Sequence, residues 1–538
     1  MYKRIFINQC GYLPYMEKLV TFNSTGIDKP VSFNVLKSDG ASVYSGTATK
    51  RADNSSAKEI NYIGDFSKVT APGRYYITAD GYGESDTFEI GADVYNDVFQ
   101  KASAFFYLQR CGCAIPKRAG GIYSHGACHT APAIVYGSNR KIDVSGGWHD
   151  AGDYGRYIAP AAMAVAQLMY AYEENKGLSS LYLSPDSEIN DTKPSPFLDE
   201  IKYELDWMLK MQDSDGNLFH KVSCRSFCGF IMPDMEKEEL VISPASVTAT
   251  ADFAAAAAMA SRLYREADAE FSDTLANASK RAYKAMRSMT LEGGFKNPPE
   301  ISTGEYGDAC DTDERYWAAA ELYKAFGDEQ YRKDFEQLAS AKIYHGYGWE
   351  DMGSYGNRAY ITCGYPVDAG LAERIKASML ELADRLLSNT LSDGYGASLT
   401  ADGYIWGSNL YAACNGIHLY DAYKLTNDTK YLNAAAQQLH YLLGRNPMGL
   451  CYLTGCGTDA VKHPHHRPSG FNGRAMAGML SGGPCSARLD ELAKQMLSEN
   501  TAPAKAIVDM TGSYSTNEVT VYWNSALVQL LAEVVQML

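Results

Sequence analysis

The sequence lacks any run of about 18 consecutive apolar residues, the length that a membrane-spanning helix needs. It also lacks long runs of Lys and Arg, and its net charge is −15 over 538 residues. Nucleic acids and anionic membranes attract basic surfaces, so neither is expected as a partner. A neutral substrate is compatible with the acidic charge.

The N-terminal segment MYKRIFINQCGYLP has a basic start but no apolar signal-peptide core. The chain is therefore expected either to be intracellular or to have had a signal peptide that this sequence does not include. The 12 cysteines are too sparse over this length for a small disulfide scaffold.

The first 92 residues have the pattern of short β-strands. In VSFNVLKS, apolar side chains such as Phe33 and Val35 alternate with polar ones, and strand-like runs follow at 73–80 and 84–91. Gly and Asp separate these runs. About seven short strands with regular turns predict an immunoglobulin-like β-sandwich over residues 1–92.

Residues 93–538 have a helical pattern instead. In FLDEIKYELDWMLKMQ, one apolar stripe contains Leu198, Ile201, Leu205 and Met208. About a dozen such helices are predicted, with no convincing strand run between them. The linking loops are long, and loops of that kind inside a compact domain usually carry function. The pattern suggests an all-α barrel of inner and outer helices.

Two aspartates lie three residues apart in GGWHDAGDYGRY, a Gly-rich turn before a predicted helix. Hydrolysis of an acetal needs a carboxylate that activates water, and a second carboxylate can hold that water. Asp150 and Asp153 are therefore candidate catalytic residues. A helix N-cap and a calcium-binding loop are the alternatives.

Glu518 lies where a polar loop meets the last apolar helix, in YSTNEVTVYWNS. Tyr514, Tyr522 and Trp523 are close in sequence, and a carboxyl among aromatic rings suits the role of a general acid. The alternative is a capping box, in which Ser515 caps the helix and Glu518 is its partner.

Histidines are concentrated in the Pro-bracketed segment KHPHHRP. His463, His465, His466 and Arg467 fall within five positions there. These histidines could hold a metal ion, but no second cluster of acidic or Cys ligands adjoins them. His and Arg in a rigid loop also suit hydrogen bonds to sugar hydroxyls, and this interpretation is favoured.

Cys111, Cys128, His129 and His149 form a further candidate site. Two thiolates and two imidazoles complete a tetrahedral zinc shell, although the spacing is not that of a zinc finger. His149 immediately precedes Asp150, so a zinc ion here would hold the aspartate loop.

Taken together, these segments resemble glycoside hydrolase family 9, the cellulase family with an (α/α)6 barrel. The resemblance covers essentially the whole chain, and the first 92 residues resemble the immunoglobulin-like module of many members. It implies that Asp153 is the catalytic base, that Asp150 helps to hold the water, and that Glu518 is the catalytic acid. It also implies that His465 and Arg467 bind substrate.

The resemblance implies one structural zinc ion at the two cysteines and two histidines, with Cys113 as a spare thiol. Calcium is a second expected ion, because hard oxygen ligands suit it. Its candidate ligands are Asp313 and Glu314, which precede a predicted helix, and Asp351. The alternative is an acidic helix start that the helix dipole favours. No organic cofactor is expected.

Aromatic side chains are expected to line a sugar cleft. Tyr514, Trp406 and Trp349 are the candidates that would stack on glucose rings. For Trp406 the alternative is a place in the helical core.

The sequence therefore predicts an inverting endo-β-1,4-glucanase, a cellulase that hydrolyses soluble or amorphous β-1,4-glucan. An exo-acting cellodextrinase or β-glucosaminidase on the same scaffold is the nearest alternative, and a non-catalytic carbohydrate-binding protein is a third. The chain ends with its last helix, so neither a dockerin nor a cellulose-binding module is expected. The resemblance implies secretion, with a cytoplasmic location as the alternative.

Overall fold

A computed structural model describes residues 4–182, 196–290 and 294–535 of the protein. The strands are, in chain order, β1 (Ile5–Phe6), β2 (Leu19–Asn23), β3 (Val31–Lys37), β4 (Ser42–Ala48), β5 (Lys50–Asn54), β6 (Glu59–Asp65), β7 (Gly73–Ala79), β8 (Gly83–Glu84), β9 (Phe88–Ile90), β10 (Ala133–Val135), β11 (Lys141–Ile142), β12 (Arg156–Tyr157), β13 (Lys221–Ser223) and β14 (Val241–Ile242).

The helices are, in the same order, α1 (Asn96–Leu108), α2 (Lys117–Gly120), α3 (Ile158–Glu174), α4 (Lys176–Ser179), α5 (Pro196–Lys210), α6 (Val247–Leu263), α7 (Ala269–Met286), α8 (Thr312–Phe326), α9 (Glu329–Ala341), α10 (Gly353–Ile361), α11 (Ala369–Ser392), α12 (Ser408–Thr426), α13 (Thr429–Leu442), α14 (Arg467–Asn472), α15 (Glu491–Met496), α16 (Tyr514–Asn517) and α17 (Val521–Val534). None of the helices in the described ranges combines the length and apolar character needed to span a membrane.

The chain is divided into two compact units. The first contains Met1–Phe105, Glu174–Tyr182 and Glu381–Leu538, and the second contains Phe106–Glu173 and Leu183–Leu380. The first unit therefore includes the N-terminal strands and the C-terminal helices, and the second unit includes the middle of the chain.

The N-terminal strands of the first unit form two antiparallel sheets, in the orders β1-β2-β6-β5 and β4-β3-β7-β8, with β9 also paired to β7. Phe33 of β3 is buried between the sheets and lies 5.6 Å from Phe22 of β2. Gly64 of β6 makes room for that ring, because a Cβ there would lie 2.5 Å from Phe33. The strand predicted at 84–91 is divided into β8 and β9, which pair with opposite ends of β7.

Gln9 joins the N-terminal strands to the C-terminal helices within the first unit. Its backbone N–H donates to Leu443 O at 3.0 Å, and its side-chain amide donates to Gly449 O at 2.8 Å. Its side-chain oxygen accepts from the backbone N–H groups of Thr458 and Asp459. Because all these groups are buried or half-buried, the contact stabilises one arrangement of the strands on the helices.

The C-terminal helices of the first unit pack through small residues. Helix α12 packs against α13 and α17. Gly416 of α12 faces Leu530 of α17, and a Cβ at Gly416 would lie 2.6 Å from the leucine side chain. The close approach of the two helices therefore depends on the glycine.

The second unit is built around α6, which packs against α7 and α8. Its run Ala254–Ala258 is fully buried. Two serines of α7 fix the neighbouring helix, since Ser272 donates to Ser261 O and Ser279 donates to Ala254 O, each at 2.6 Å. At its N-terminus, Ser246 caps α6 by accepting from Ala249 N–H.

The second unit also contains a small sheet of order β11-β10-β14-β13-β12, so the expectation of no strands among the helices is wrong. Each strand is only two or three residues long, which is too short for an alternating pattern to show. Strand β12 lies at the end of the Gly-rich turn, and α3 begins directly after it at Ile158. The sheet places β13 directly beside the segment that follows the paired aspartates.

Candidate functional site

The paired aspartates of the second unit lie in a tight buried turn. Asp150 N–H donates to Gly155 O at 2.9 Å, and Gly155 N–H donates to Asp153 Oδ2 at 3.0 Å. A Cβ at Gly155 would lie 2.4 Å from the Tyr157 hydroxyl, so the turn needs glycine here. Asp150 is 3% exposed and Asp153 is 8% exposed, which holds both carboxyls in a poorly hydrated environment.

Two phenols hold these carboxyls. Tyr306 Oη donates to Asp150 Oδ2 at 2.6 Å, and Tyr157 Oη donates to Asp153 Oδ2 at 3.3 Å. The two phenol rings are 4.9 Å apart, and Trp349 lies edge-on to Tyr306 at 5.1 Å. The structure therefore adds Tyr157 and Tyr306, which the sequence reasoning missed although Tyr157 lies in the segment GGWHDAGDYGRY.

Burial raises the pKa of Asp150 well above its usual value, and the charge of Asp153 raises it further. The hydrogen bond from Tyr306 acts in the opposite direction. Burial and the neighbouring charge therefore favour the protonated form of Asp150. That is the state in which one carboxyl can accept a proton from water while its neighbour binds the same water.

Glu518 belongs to the first unit and is half-buried after the short helix α16. Its backbone is fixed on both sides, because its N–H donates to Tyr514 O and its C=O accepts from Gly482 N–H at 2.8 Å. The capping-box alternative is wrong. Thr520 caps α17, and Ser515 donates to Asp490 Oδ2 instead.

The histidine segment lies beside Glu518 in the first unit. His465 forms an isolated parallel bridge with Glu518, and its N–H donates to Asn517 O at 2.8 Å. Asp509 ties the two segments together by accepting from His463 N–H and from the Asn517 side chain. The histidine segment therefore fixes the backbone of Asn517 and Glu518, the second of which is the candidate acid.

Aromatic rings lie next to this segment. Tyr514 lies 5.3 Å from Trp406 and 6.0 Å from His465. Trp406 is 42% exposed, so the alternative that it belongs to the core is wrong. Burial raises the pKa of Tyr514, and the charges of Asp490 and Glu518 raise it further, which places the Glu518 carboxyl within electrostatic reach of this ring. Arg467 is buried at the start of α14.

The predicted cysteines and histidines of the second unit converge. One ligand atom from each of Cys111, Cys128, His129 and His149 lies within 4.8 Å of the others. Cys111 Sγ is 3.7 Å from His129 Nδ1, and Cys128 Sγ is 3.7 Å from His149 Nε2. The buried N2S2 donor set fits a tetrahedral metal ion. No other group of three or more such ligands, including His463, His465 and His466, meets the same limit within the described residues.

Further contacts orient the cluster ligands. His129 Nε2 lies 2.9 Å from Glu236 Oε2, and a carboxylate on the outer nitrogen fixes the inner one as a ligand. The Gln109 side chain donates to His149 O and Ala151 O, which connects the cluster to the aspartate turn. Burial would raise the pKa of Cys111, but the hydrogen bond from Cys128 and the nearby positive charges lower it below its usual value. A lowered pKa favours the thiolate form of Cys111, and the thiolate is the form that binds a metal cation.

The predicted calcium ligands are arranged differently. Asp313 and Glu314 are buried in the first turn of α8 rather than before it, and Asp351 is half-buried. Asp313 Oδ2 accepts from Met352 N–H at 2.8 Å. Neither carboxylate oxygen of Glu314 hydrogen-bonds to a described residue. Burial and the charges of Asp252 and Asp313 raise the pKa of Glu314, so a cation here would relieve repulsion among these carboxyls.

Comparisons with known proteins identify the family of the chain. The profile of Glycosyl hydrolase family 9 matches residues 95–531, and that of the cellulase N-terminal ig-like domain matches residues 1–84. Endoglucanase D of Acetivibrio thermocellus is 38% identical, over 98% of this chain and 83% of the relative. A cellodextrinase of Butyrivibrio fibrisolvens is 35% identical, over 99% of this chain and 100% of the relative.

A solved structure extends the comparison to the fold. A mutant of a thermostable endoglucanase from Alicyclobacillus acidocaldarius superimposes with a TM-score of 0.93 at 35% identity, covering 99% of this chain and 100% of that one. The predicted fold class is confirmed, because an immunoglobulin-like β-sandwich precedes a helical domain with the (α/α)6 fold.

Proposed function

The chain belongs to glycosyl hydrolase family 9 and is a cellulase, and we propose that it is an inverting endo-β-1,4-glucanase acting on soluble or amorphous glucan. We assign Asp153 as general base and Glu518 as general acid. The observation that carries this proposal is the buried aspartate pair, in which each carboxyl accepts a hydrogen bond from its own tyrosine. We also place the domain boundary between residues 92 and 93.

On the water side of the reaction, Asp153 accepts a proton from the attacking water. Asp150, whose pKa is raised by burial and by the charge of Asp153, keeps its proton more readily and helps to hold that water. The phenols of Tyr306 and Tyr157 hold the two carboxyls in place. Because water attacks directly, the anomeric carbon inverts in one displacement.

On the leaving-group side, Glu518 gives a proton to the glycosidic oxygen. Its backbone is anchored on both sides, so its carboxyl is presented from a fixed position. We assign Trp406 and Tyr514 to a sugar-stacking surface, because both rings are exposed and adjacent. His465 and Arg467 bind sugar hydroxyls next to it, and Trp349 contributes a ring beside Tyr306.

The cysteine and histidine cluster fits a zinc ion by its donor set, and we propose that Cys111, Cys128, His129 and His149 hold one. A bound zinc ion would supply structural stabilisation of the loop that carries the aspartates. A calcium ion is proposed at Asp313, Glu314 and Asp351, where buried carboxylate oxygens of Glu314 have no hydrogen-bond partner in the described chain.

A second candidate function is exo-acting hydrolysis of short cellodextrins. It is favoured by the full-length similarity to a protein named cellodextrinase. The two functions also differ in where the enzyme would work. A polymeric glucan lies outside the cell, so endo-action goes with secretion, whereas imported short oligomers could be cleaved in the cytoplasm.

The proposal is tested by the anomer of the first product, read by proton NMR immediately after cleavage of a β-glucan oligomer. We expect the α-anomer, and a first product with the β-configuration would refute inversion. Reducing sugar released from carboxymethylcellulose, mixed-linkage glucan, xyloglucan and chitosan, with the loss of viscosity, separates endo-action from exo-action. Rapid loss of viscosity at low sugar release supports the endoglucanase.

Residue roles are tested with two variants. Glu518→Ala should lower kcat most on substrates with poor leaving groups and little on activated aryl glycosides. Asp153→Ala should lower kcat on both kinds of substrate, because the attacking water then lacks its base. Equal losses on both substrates for Glu518→Ala would contradict its role as the acid.

A further inference from the structure

Lys221 is a buried cation beside the aspartate pair. It begins β13, lies directly opposite Tyr157 of β12, and has no exposed surface. Its amine donates to Asn297 Oδ1 at 2.8 Å, to Thr303 Oγ1 at 2.9 Å and to Thr303 O at 3.3 Å, and it also donates to Gly304 O. Every one of these acceptors is neutral. Burying an ammonium that has no hydrogen-bonded carboxylate among the described residues is costly, so these four hydrogen bonds are needed to offset the lost hydration.

The acceptors of Lys221 all lie in one segment, residues 297–306, which ends at Tyr306. Two neighbours of Lys221 in sequence contact the same segment, since His220 Nε2 donates to Glu305 O at 2.8 Å and the hydroxyls of Ser223 and Thr303 are 2.8 Å apart. Tyr306 itself has a φ of 47°, a conformation that non-glycine residues adopt only when surrounding contacts impose it. The amine therefore fixes the backbone immediately before the phenol that holds Asp150.

The same amine also lies beside the tyrosine that donates to Asp153. Lys221 Nζ lies 5.2 Å from the centre of the Tyr157 ring, whose hydroxyl donates to Asp153. Gly304 packs on that hydroxyl, because a Cβ added at Gly304 would lie 3.2 Å from it. The Lys221 amine thus holds a segment that reaches both aspartates. Gly304 of this segment packs on Tyr157, which donates to Asp153, and Tyr306 of the same segment donates to Asp150.

We propose that Lys221 is a positioning residue of the catalytic site, and that its protonated amine holds residues 297–306 in the arrangement that orients the aspartate pair. The proposal rests on the proposed function, because it takes Asp150 and Asp153 as the groups that handle water. It adds a regulatory consequence, namely that the arrangement loosens when the amine loses its proton.

The proton is lost near neutral pH. Burial lowers the pKa of Lys221 to about 7, and the negative charges of Asp153 and Glu305 only partly oppose that effect. Among the described residues, the other titratable groups that face the amine are the Tyr157 ring and His220, and burial keeps His220 uncharged by lowering its pKa to about 3. A neutral amine has fewer N–H donors and a weaker attraction for carbonyl oxygens, so it holds Thr303 and Gly304 less firmly.

The test compares three variants. Lys221→Met keeps a long apolar side chain but removes the donors, and Lys221→Arg keeps a positive charge at every pH. Lys296→Met is the matched control, because Lys296 is an exposed lysine directly before residues 297–306 and pairs with Glu305 at 3.1 Å. Folding is checked by melting temperature and circular dichroism.

On a soluble β-1,4-glucan oligomer at pH 5.5, Lys221→Met should lower kcat by about tenfold or more and change KM by less than about threefold. The ratio of wild-type kcat to Lys221→Met kcat should shrink as the pH rises through 7. The wild type then loses the ammonium charge, which the variant lacks at every pH. Lys221→Arg should restore most of kcat and keep it above pH 7. Lys296→Met should match the wild type. A Lys221→Met variant that matches the wild type at pH 5.5, or a kcat ratio that stays constant to pH 8.5, overturns the proposal.

Hydrogen exchange of the peptide covering residues 297–306 gives a readout that needs no substrate. Exchange should be faster in Lys221→Met than in the wild type at the same pH, and unchanged in Lys296→Met. Unchanged exchange in Lys221→Met refutes the positioning role even if glucan hydrolysis is confirmed. Absence of hydrolysis by the wild type, with faster exchange in Lys221→Met, refutes the proposed function instead.

Discussion

Tyr306 donates a hydrogen bond of 2.6 Å to Asp150 Oδ2 from a left-handed backbone conformation. Because Asp150 keeps its proton, this bond joins two uncharged groups, and such bonds contribute about 0.5–1.5 kcal/mol, so its loss in the transition state corresponds to roughly a twofold to tenfold loss of rate. We therefore expect Tyr306→Phe to lower kcat by about that factor, measured on a cellooligosaccharide, with little change in KM. Tyr136→Phe is the control, because Tyr136 donates to Glu300 at the surface. Equal kcat in Tyr306→Phe and wild type would show that the phenol is dispensable.

The cysteine and histidine cluster should contain one tightly bound zinc ion. Cys128→Ser removes a thiolate ligand, so metal analysis should find little zinc in the purified variant, and its melting temperature should fall by several degrees. Cys113→Ser is the control, because Cys113 lies outside the cluster and should leave the metal content unchanged. Wild-type protein prepared without chelator and free of zinc would contradict this site.

Local periodicity predicts the sandwich and the helices. The resemblance to the family implies the convergence of Cys111 and Cys128 with their histidines, because the spacing of these residues is not that of a zinc finger. The small sheet that contains β12 and β13 was missed because its strands are two or three residues long. The bond between Tyr306 and Asp150 joins residues 156 positions apart, and no local pattern predicts such a contact. The four acceptors of Lys221 lie beyond sequence reasoning for the same reason.

Calcium should stabilise the protein through the buried carboxyls at the start of α8. Adding Ca²⁺ at pH 7 should raise the melting temperature, since the ion would relieve the repulsion that raises the pKa of Glu314. Glu314→Gln should remove most of the calcium response. Glu329→Gln, at the exposed start of α9, should retain the full response. A wild-type melting temperature that neither Ca²⁺ nor EGTA changes would rule out the site.

Trp406 and Tyr514 should act together as a sugar-binding surface. Trp406→Ala removes an exposed ring that packs on Tyr514, and we expect KM to rise, or kcat/KM to fall, by about tenfold, which corresponds to about 1.4 kcal/mol of lost contact. Tyr15→Ala is the control, because Tyr15 is 80% exposed in the N-terminal sandwich. The comparison is made on long and short cellooligosaccharides. Wild-type kinetics in a folded Trp406→Ala variant would remove this ring from the site.

His220 should make the protein sensitive to acid. Its Nε2–H donates to Glu305 O, its Nδ1 accepts from the Ser246 hydroxyl, and its ring stacks on Phe295 at 3.7 Å, so all its contacts suit the neutral ring. Burial lowers the pKa of His220 to about 3, whereas the unfolded chain binds the proton near pH 6.5. Between these two values the unfolded state holds more protons, so the free energy of unfolding should fall as the pH falls below 6.5, by up to about 1.4 kcal/mol per pH unit from this group.

His220→Gln tests that dependence, because an amide can still donate to Glu305 O but does not titrate. At pH 7 the variant should be less stable than the wild type, since it loses the stacking on Phe295. As the pH falls from 6.5 towards 4, the wild type should lose stability faster, so the difference in melting temperature should shrink. His463→Gln replaces an exposed histidine and should keep the wild-type slope. If His220→Gln loses stability with falling pH as steeply as the wild type, the acid sensitivity does not come from this ring.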